Sequence, residues 1–171
     1  MTTRVWPSRH WSLAQLFLWR SGNHIDVFDQ AYNTQRGHQS LEDRCTRLRD
    51  PAMHSVIDGS GTVRASNAQG SKLSLSSDFG MQMRLGIPYR ISNTVVKFEQ
   101  DRQIAWRHIS AHRWRYELEA IGVGTMVSET WDASRVRLQW LLRLMSFTRS
   151  TGPNMERTLD RLAAQFPEVS E

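Results

Sequence analysis

The residues between Asn93 and Trp131 constrain the fold most, because short segments in which apolar and polar residues alternate follow one another there with only turn-sized gaps. In the segment 112–120, every second side chain is apolar or a histidine, and the residues between them are charged. The first set is His112, Trp114, Tyr116, Leu118 and Ala120. A strand of this kind buries one face and exposes the other. Because the gaps Gln100–Gln103 and Gly122–Gly124 suit hairpin turns, the region predicts an antiparallel meander.

Strict alternation also predicts which side chains share a face in the neighbouring strands. It groups Thr94, Val96 and Phe98 in one strand, and Ile104, Trp106 and His108 in the next. In a later strand rich in β-branched and aromatic residues, Glu129 shares a face with Val127 and Trp131. A carboxylate on such a face needs a charged or hydrogen-bonding partner. We expect an edge-facing ion pair between Glu129 and an arginine.

An amphipathic helix is predicted near the C-terminus. Its apolar residues recur at i, i+4, i+7, i+8 and i+11, namely Met155, Leu159, Leu162, Ala163 and Phe166. Pro153 marks the expected first helical position, and Pro167 lies just beyond the expected end. The preceding segment, Ser134–Met145, is also apolar on one face, so we expect a second helix or a lid over a pocket mouth there.

The composition favours one compact domain. The chain has 171 residues, of which 39% are hydrophobic, and this is enough for a single core. Cys45 is the only cysteine, so no intrachain disulfide is expected, and a cytoplasmic location is predicted. The apolar run Trp11–Trp19 is too short to span a bilayer and lacks a signal-peptide cleavage site. We therefore expect no membrane span.

The net charge of +5 does not indicate nucleic-acid binding. Of the 22 basic residues, only Lys72 and Lys97 are lysines, a bias typical of a GC-rich coding sequence. Basic and acidic residues are interspersed, and no block of like charge marks a surface that follows a phosphate backbone. We expect no nucleic-acid partner, and no feature of the sequence indicates an oligomeric state.

Eight short stretches of the chain carry a family resemblance. They are Asp50-Pro51-x-x-His54, Ile57–Val63, Phe79–Met81, Met83–Val96, Ile104–His108, Arg113–Glu119, Glu129–Asp132 and Asn154–Leu162. Together they resemble the START-like (SRPBCC) superfamily of the polyketide cyclase/dehydrase type, and in particular its small bacterial members. The resemblance covers about residues 50–165. It implies an α+β helix-grip fold, in which a curved antiparallel β-sheet wraps around a long C-terminal α-helix, with a mainly apolar cavity between them.

The first 49 residues depart from the family pattern, which usually opens with an apolar-alternating strand. Only Ile25–Tyr32 offers such a strand, and its polar residues interrupt the alternation. Ser40–Asp43 matches a helix N-cap, which predicts a short helix that ends before Pro51. We expect three parts, namely an atypical and partly disordered segment 1–49, the helix-grip domain 50–166 and a tail 167–171.

The resemblance implies that the chain binds a small hydrophobic or aromatic molecule, such as a lipid or a polyketide-like compound, without a cofactor. The expected lining combines side chains of the sheet with side chains of the terminal helix, namely Met81, Met83, Trp106, Trp114, Tyr116, Met155 and Leu159. Large aromatic residues at alternating strand positions are typical of a plain core as well as of a pocket wall. Methionine side chains adapt to variable ligands and also fill ordinary gaps.

Two further hypotheses stay open at this point. An enzyme of the cyclase/dehydrase kind would use His108, His112 or Glu129 to remove a proton beside a carbonyl, with Tyr116 as the proton donor. A protein-interaction or vestigial domain would instead have a filled interior. A metal site is not expected, because the spacing of His108 and His112 suits zinc only on a helix and no cysteine is placed to join them.

Overall fold

The computed structural model describes residues 26–29, 35–36, 41–68, 72–109, 111–121, 124–136 and 147–166. Within these ranges the chain forms eight strands and three helices. The strands are β1 (Asp26–Asp29), β2 (Gln35–Arg36), β3 (Val63–Ala68), β4 (Asp78–Leu85), β5 (Ile87–Glu99), β6 (Gln103–His108), β7 (Arg113–Ile121) and β8 (Gly124–Asp132). The helices are α1 (Leu41–Arg49), α2 (Pro51–Ile57) and α3 (Phe147–Ala164).

The strands form one antiparallel sheet in the order β1-β8-β7-β6-β5-β4-β3, and β2 also pairs with β8. From β4 to β8 each strand pairs with the next one along the chain. Short connections favour this arrangement, because a tight turn can join only antiparallel neighbours. The meander predicted between Asn93 and Trp131 is therefore confirmed, including the hairpin connection after Glu99.

A β-bulge in β5 changes the predicted face of its residues. The pairing between β5 and β6 skips Val96, and an extra residue in one strand shifts the alternation beyond it. As a result, Val95 is buried on the same side as Phe98, and both pack in the main core. Thr94 lies on the other side, where its hydroxyl donates to the Asp78 carboxylate at 2.6 Å. The prediction that Thr94, Val96 and Phe98 share a face is wrong, because periodicity alone does not show a bulge.

Residues before position 50 contribute to the core. α1 is the short helix predicted there, and its Cys45 and Leu48 are fully buried in the same core as Ile57 of α2. Asp50 separates the two helices, since its side chain caps α2 by accepting the Ala52 N–H at 2.9 Å. The first helix therefore ends before the proline, as the sequence predicts.

β1 is the strand that the sequence offers within Ile25–Tyr32. It pairs with β8 and sets Val27 opposite Trp131, so β8 lies inside the sheet between β1 and β7. The expected division at residue 49 falls between two helices that share one core, and as a domain boundary it stays a prediction. The expectations for residues 1–25 and 167–171 lie outside the described residues.

The C-terminal helix α3 begins earlier than predicted, at Phe147, and Pro153 lies inside it. The predicted start is wrong, because the turn before Pro153, where Thr151 is buried, is helical despite the lost hydrogen bond and the steric clash that a proline brings inside a helix. No helix among the described residues is long and apolar enough to cross a bilayer.

The predicted second helix or lid over Ser134–Met145 lies almost entirely outside the described residues, since only residues 134–136 of this segment are described.

α3 lies against the sheet through the apolar face that the sequence predicts. Leu159, Leu162 and Phe166 pack in the main core. Met155 is also buried, and it packs with Trp131 and with Ala133 in a smaller cluster. The described part of the chain therefore contains the sheet and the C-terminal helix of the predicted fold, with the apolar faces of both turned towards each other.

The loop between α2 and β3 fixes the position of α3. The Gly59 N–H donates to Thr158 Oγ1 at 2.9 Å, and Arg157 Nε donates to the Gly59 carbonyl at 2.9 Å. A Cβ on Gly59 would lie 2.1 Å from the Asn154 carbonyl oxygen, so only glycine fits at this contact. Two of the stretches that carry the family resemblance therefore contact each other here.

Candidate ligand site on the inner face of the sheet

The face of the sheet that packs against α3, here called the inner face, carries three cross-strand rows of side chains. The register gives the first row as Phe79–Asn93–His108, the middle row as Val95–Trp106–Trp114–Trp131 and the third row as Phe98–Ile104–Tyr116–Glu129. The first row lies nearest to the turn between β6 and β7, and the third lies nearest to the turn between β5 and β6. Polar groups occur in the first and third rows, whereas the middle row is aliphatic and aromatic.

Four rings form a buried cluster around the middle row. The His54 ring of α2 stacks on Trp106 with centroids 5.0 Å apart and meets Phe79 edge-on at 5.4 Å, and Trp106 lies 5.5 Å from Tyr116. His54 Nε2 is 3.0 Å from the Leu48 carbonyl oxygen, so Nε2 carries the hydrogen and Nδ1 is an acceptor. Within the described ranges, Nδ1 has no hydrogen-bond partner. Burial lowers the pKa of His54, which keeps the ring neutral at pH 7.

Tyr116 and Glu129 form a buried polar pair in the third row. The Tyr116 hydroxyl donates to Glu129 Oε1 at 2.7 Å, and both residues are almost fully buried. Burial and the adjacent Glu129 carboxylate raise the pKa of Tyr116 well above its ordinary value, so the phenol stays protonated. The predicted edge-facing position of Glu129 is wrong, because β8 has a neighbour on both sides and this side chain enters the core.

His108 and His112 lie at the two ends of the turn between β6 and β7, as predicted. Their ring centroids are 4.2 Å apart, and the His112 ring lies 5.9 Å from Trp131. Burial, together with the neighbouring His112, lowers the pKa of His108 to about 3, and burial lowers the pKa of His112 to about 4. Both rings are therefore neutral at pH 7. Among the described residues, no group of three or more histidine, cysteine or acidic side chains is arranged to hold a metal ion.

Asn93 is the inner-face residue that sequence analysis missed. It is 1% exposed, and neither Oδ1 nor Nδ2 has a hydrogen-bond partner in the part of the chain that the structure describes. An unsatisfied buried polar group costs about 1–3 kcal/mol, so its presence requires an explanation. The available signal was its parity with Ile91 and Val95, which sets one amide on an otherwise apolar strand face.

The structure brings the predicted ligand-lining residues to the inner face or to the side of α3 that covers it. Met81, Trp106, Tyr116 and Leu159 belong to the main core cluster, and Met83 packs against it. Met155 belongs to the smaller cluster, and Trp114 contacts both clusters. The set is thus spatially continuous, and its role in ligand binding stays a prediction. Of the candidate catalytic residues, Tyr116 and Glu129 meet in one place and the two histidines in another.

An open depression of about 520 Å³ lies near the start of β4. Its lining is mixed, with Asn67, Lys72, Leu73, Ser77, Asp78, Phe79, Gly80 and Ser92. Several of these residues have the strand parity of the outer face, opposite to that of Asn93. Since polar groups are prominent in this lining, it does not suit the hydrophobic ligand that the resemblance implies, and a ligand site on the inner face stays a prediction.

Sequence comparison relates the chain to two proteins of Mycobacterium tuberculosis. It is 36% identical over 124 residues to the uncharacterised protein Rv0088, and 35% identical over 124 residues to the uncharacterised protein MT0096. Each match covers 68% of this chain and 55% of the relative, so the chain spans about half the length of the curated relatives it matches. No protein-family model matches the chain.

Solved structures with distant sequences share the fold. Protein CV1439 from Chromobacterium violaceum superposes with a TM-score of 0.57 at 10% identity, covering 84% of this chain and 97% of that one. Protein Ms6760 from Mycobacterium smegmatis gives a TM-score of 0.55 at 9% identity, with coverages of 78% and 89%. The major latex-like protein 151 from Panax ginseng gives 0.51 at 13% identity, with coverages of 85% and 100%. The predicted α+β helix-grip fold is confirmed.

Proposed function

We propose that this chain, whose fold is the helix-grip fold of START-like (SRPBCC) proteins, binds a small hydrophobic or aromatic molecule on the inner face of its sheet. The observation that supports this most is the buried side chain of Asn93, which has no hydrogen-bond partner in the described part of the chain. A ligand with a hydroxyl or carbonyl group would supply hydrogen bonds to this amide.

The surroundings of Asn93 fit a ligand with an apolar body. The rings of Phe79 and Trp106 lie 5.8 Å apart, and Met81 and Ile91 continue the same strand face. Binding sites for small molecules are typically apolar with a few polar groups that fix orientation. The Asn93 amide, to which no described residue hydrogen-bonds, has this character together with its aromatic and aliphatic surroundings.

The nearby titratable groups favour an uncharged ligand. Burial keeps His54, His108 and His112 neutral at pH 7, as the lowered pKa values of all three show. A charged ligand would lose its hydration beside these rings and would gain no opposite charge from them. A lipid or a polyketide-like compound with hydroxyl or carbonyl groups has the required chemistry.

Binding accounts for these groups better than acid–base catalysis does. A general base works best when its pKa is near the working pH, and the pKa values of His108 and His112 lie well below 7. The raised pKa of Tyr116 makes its phenol a weak acid, and its hydroxyl already donates to Glu129. The cyclase/dehydrase hypothesis therefore requires that a bound substrate changes these pKa values.

Native mass spectrometry and calorimetry with a probe pair test the proposal. We expect the purified chain to carry a small molecule that denaturation releases. After its removal, naphthol and naphthalene serve as aromatic probes that differ by one hydroxyl group. The chain should bind naphthol about tenfold more tightly, because the hydroxyl bonds to Asn93. Asn93→Leu should abolish this preference and leave the naphthalene affinity within about twofold.

Ser92→Leu is the matched control, because it introduces the same side chain one position away, on the exposed outer face. It should keep the preference for naphthol. Equal affinities of the unmodified chain for the two probes, or the same loss in both variants, would refute a ligand contact at Asn93. Failure to bind either probe, with no co-purifying molecule, would favour the interaction-domain hypothesis.

A further inference from the structure

We infer that the hairpin tip formed by residues 84–90, here called the β4–β5 tip, inserts into the surface of an anionic lipid bilayer. Gly86 alone connects the two strands, and its φ of +74° suits glycine. β5 pairs with β6 only from Asn93 onwards, so the tip extends beyond the neighbouring hairpin within the described sheet. The inference goes beyond the proposed function and does not depend on it, because this contact needs no bound ligand.

One face of the tip is an apolar stripe that continues the inner face. The register pairs Leu85 with Ile87 and Met83 with Tyr89 on this face. Exposure falls along the stripe from 75% at Ile87 and 58% at Leu85 to 39% at Tyr89, and reaches 6% at Met81 in the core. Apolar side chains that are most exposed at the far end suit insertion end first, and tyrosine is typical of the membrane interface.

The other face of the tip is cationic. Arg84 and Arg90 are both exposed and have the strand parity opposite to that of the apolar stripe. Arginine side chains have long apolar stems that let the guanidinium group reach phosphate and carboxylate headgroups while the backbone lies deeper. The net charge of +5 adds a long-range attraction to an anionic surface.

A further exposed apolar residue, Ile109, lies at the same end of the sheet. β4 and β6 run in the same direction, so the turn after β6 and the β4–β5 tip face the same way. Ile109 in that turn is 85% exposed. The first row of the candidate site, with Asn93 and His108, is the row nearest to this end. Ile109 lies near the level of Asn93 and is therefore set back from Leu85 and Ile87, so the β4–β5 tip makes the first contact with a bilayer.

A bilayer fits the tip better than a second copy of the chain does. A stable protein interface buries about 800 Å² on each partner, whereas the exposed apolar groups here are a few side chains at the end of one hairpin. Two copies that met tip to tip would also bring Arg84 and Arg90 close to the same residues of the partner copy, and like charges repel.

Flotation with phospholipid vesicles tests the inference. The chain should float with phosphatidylcholine vesicles that contain about 30% phosphatidylserine, and much less with phosphatidylcholine alone. The double variant Leu85→Ser/Ile87→Ser should lose at least about tenfold in partitioning, because two apolar side chains no longer leave water. Arg84→Gln and Arg90→Gln should each lose about fivefold on the anionic vesicles only.

Leu75→Ser is the matched control, because Leu75 is 57% exposed, close to the 58% of Leu85, but precedes β4 at the opposite end of the sheet. It should float like the unmodified chain. The inference is overturned if the unmodified chain does not float with anionic vesicles, or if Leu75→Ser loses as much as the double variant. Self-association measured by light scattering, abolished by the double variant and without vesicle binding, would instead identify a second copy as the partner.

Discussion

The two ends of the inner face differ in how their buried polar groups are satisfied. At the packed end, defined by the third row, Tyr116 donates to Glu129, and the helix α3 covers the surrounding core. At the polar end, defined by Asn93, His108 and His112, an amide has no partner within the described residues, and burial keeps two histidines neutral. The same sheet thus supports stability at one end and, at the other, keeps polar groups whose burial lowers stability. Such groups are typical of binding sites.

The largest effect on stability is expected at the packed end. Leu162 of α3 is 1% exposed in the main core, so Leu162→Ala should lower the free energy of unfolding by about 3–4 kcal/mol through lost burial and a residual cavity. Urea denaturation measures this change. Leu75→Ala, at an exposed leucine, is the control and should change it by less than about 0.5 kcal/mol. A similar small loss for Leu162→Ala would contradict the packing of α3 on the sheet.

The contact between α3 and the loop before β3 is a second test of how α3 is held against the sheet. Gly59→Ala should destabilise the chain by about 2–3 kcal/mol, since its Cβ would overlap the Asn154 carbonyl and force the helix away. Gly61→Asn is the control, because Gly61 has open space around its Cα, and asparagine tolerates its φ of +67°. Thermal denaturation of both variants checks the prediction. Equal melting temperatures for Gly59→Ala and Gly61→Asn would contradict it.

Acidification should lower the free energy of unfolding through the two histidines of the polar end. The ordinary histidine pKa of 6.5 falls to about 3 for His108 and to about 4 for His112 in the folded chain. Below pH 6.5 the unfolded state therefore binds more protons, and the stability decreases as the pH falls towards 4. From pH 7 to pH 5 the pair should account for about 2 kcal/mol of the loss, allowing for partial exposure.

The variant His108→Gln/His112→Gln isolates this contribution. Urea denaturation at pH 7 and pH 5 should show a smaller loss than in the unmodified chain, by about 2 kcal/mol. The remaining loss includes His54, whose pKa is also lowered by burial. If both proteins lose the same stability, the two histidines are not desolvated as the structure has them.

The smallest of these effects is expected for the polar pair of the packed end. Tyr116→Phe removes the hydroxyl that donates to Glu129 and should cost about 1.5 kcal/mol, because a buried carboxylate loses one hydrogen bond. Naphthol binding should stay within about twofold if the ligand lies at the polar end. A large loss of binding with little change in urea stability would instead locate the ligand site at this pair.

The sequence predicts the fold well where a regular pattern continues through an element. The meander and the amphipathic face of α3 follow from the spacing of apolar residues, because this spacing sets which side chains pack in the core. Local exceptions are not visible in that pattern. The bulge at Val96 shifts a face, and the packed turn before Pro153 lets the helix begin earlier than its proline indicates.

The candidate site is harder to predict because it depends on which strands become neighbours. β8 lies inside the sheet because β1, from the irregular start of the chain, pairs with it, and no local pattern shows that pairing. Asn93 becomes conspicuous only in three dimensions, where no described residue hydrogen-bonds to its side chain. The histidines were found from sequence because their spacing across a turn was apparent, although the close contact between their tilted rings was not.

The side-chain amide signal of Asn93 in nuclear magnetic resonance spectra tests the central claim most directly. Titration with naphthol should shift this signal, because the ligand forms the hydrogen bonds that the described residues do not provide. The Gln103 amide is an internal control, since it donates to Glu117 at 3.0 Å on the outer face and should not move. An unchanged Asn93 signal in a chain saturated with naphthol would contradict a ligand site at the polar end.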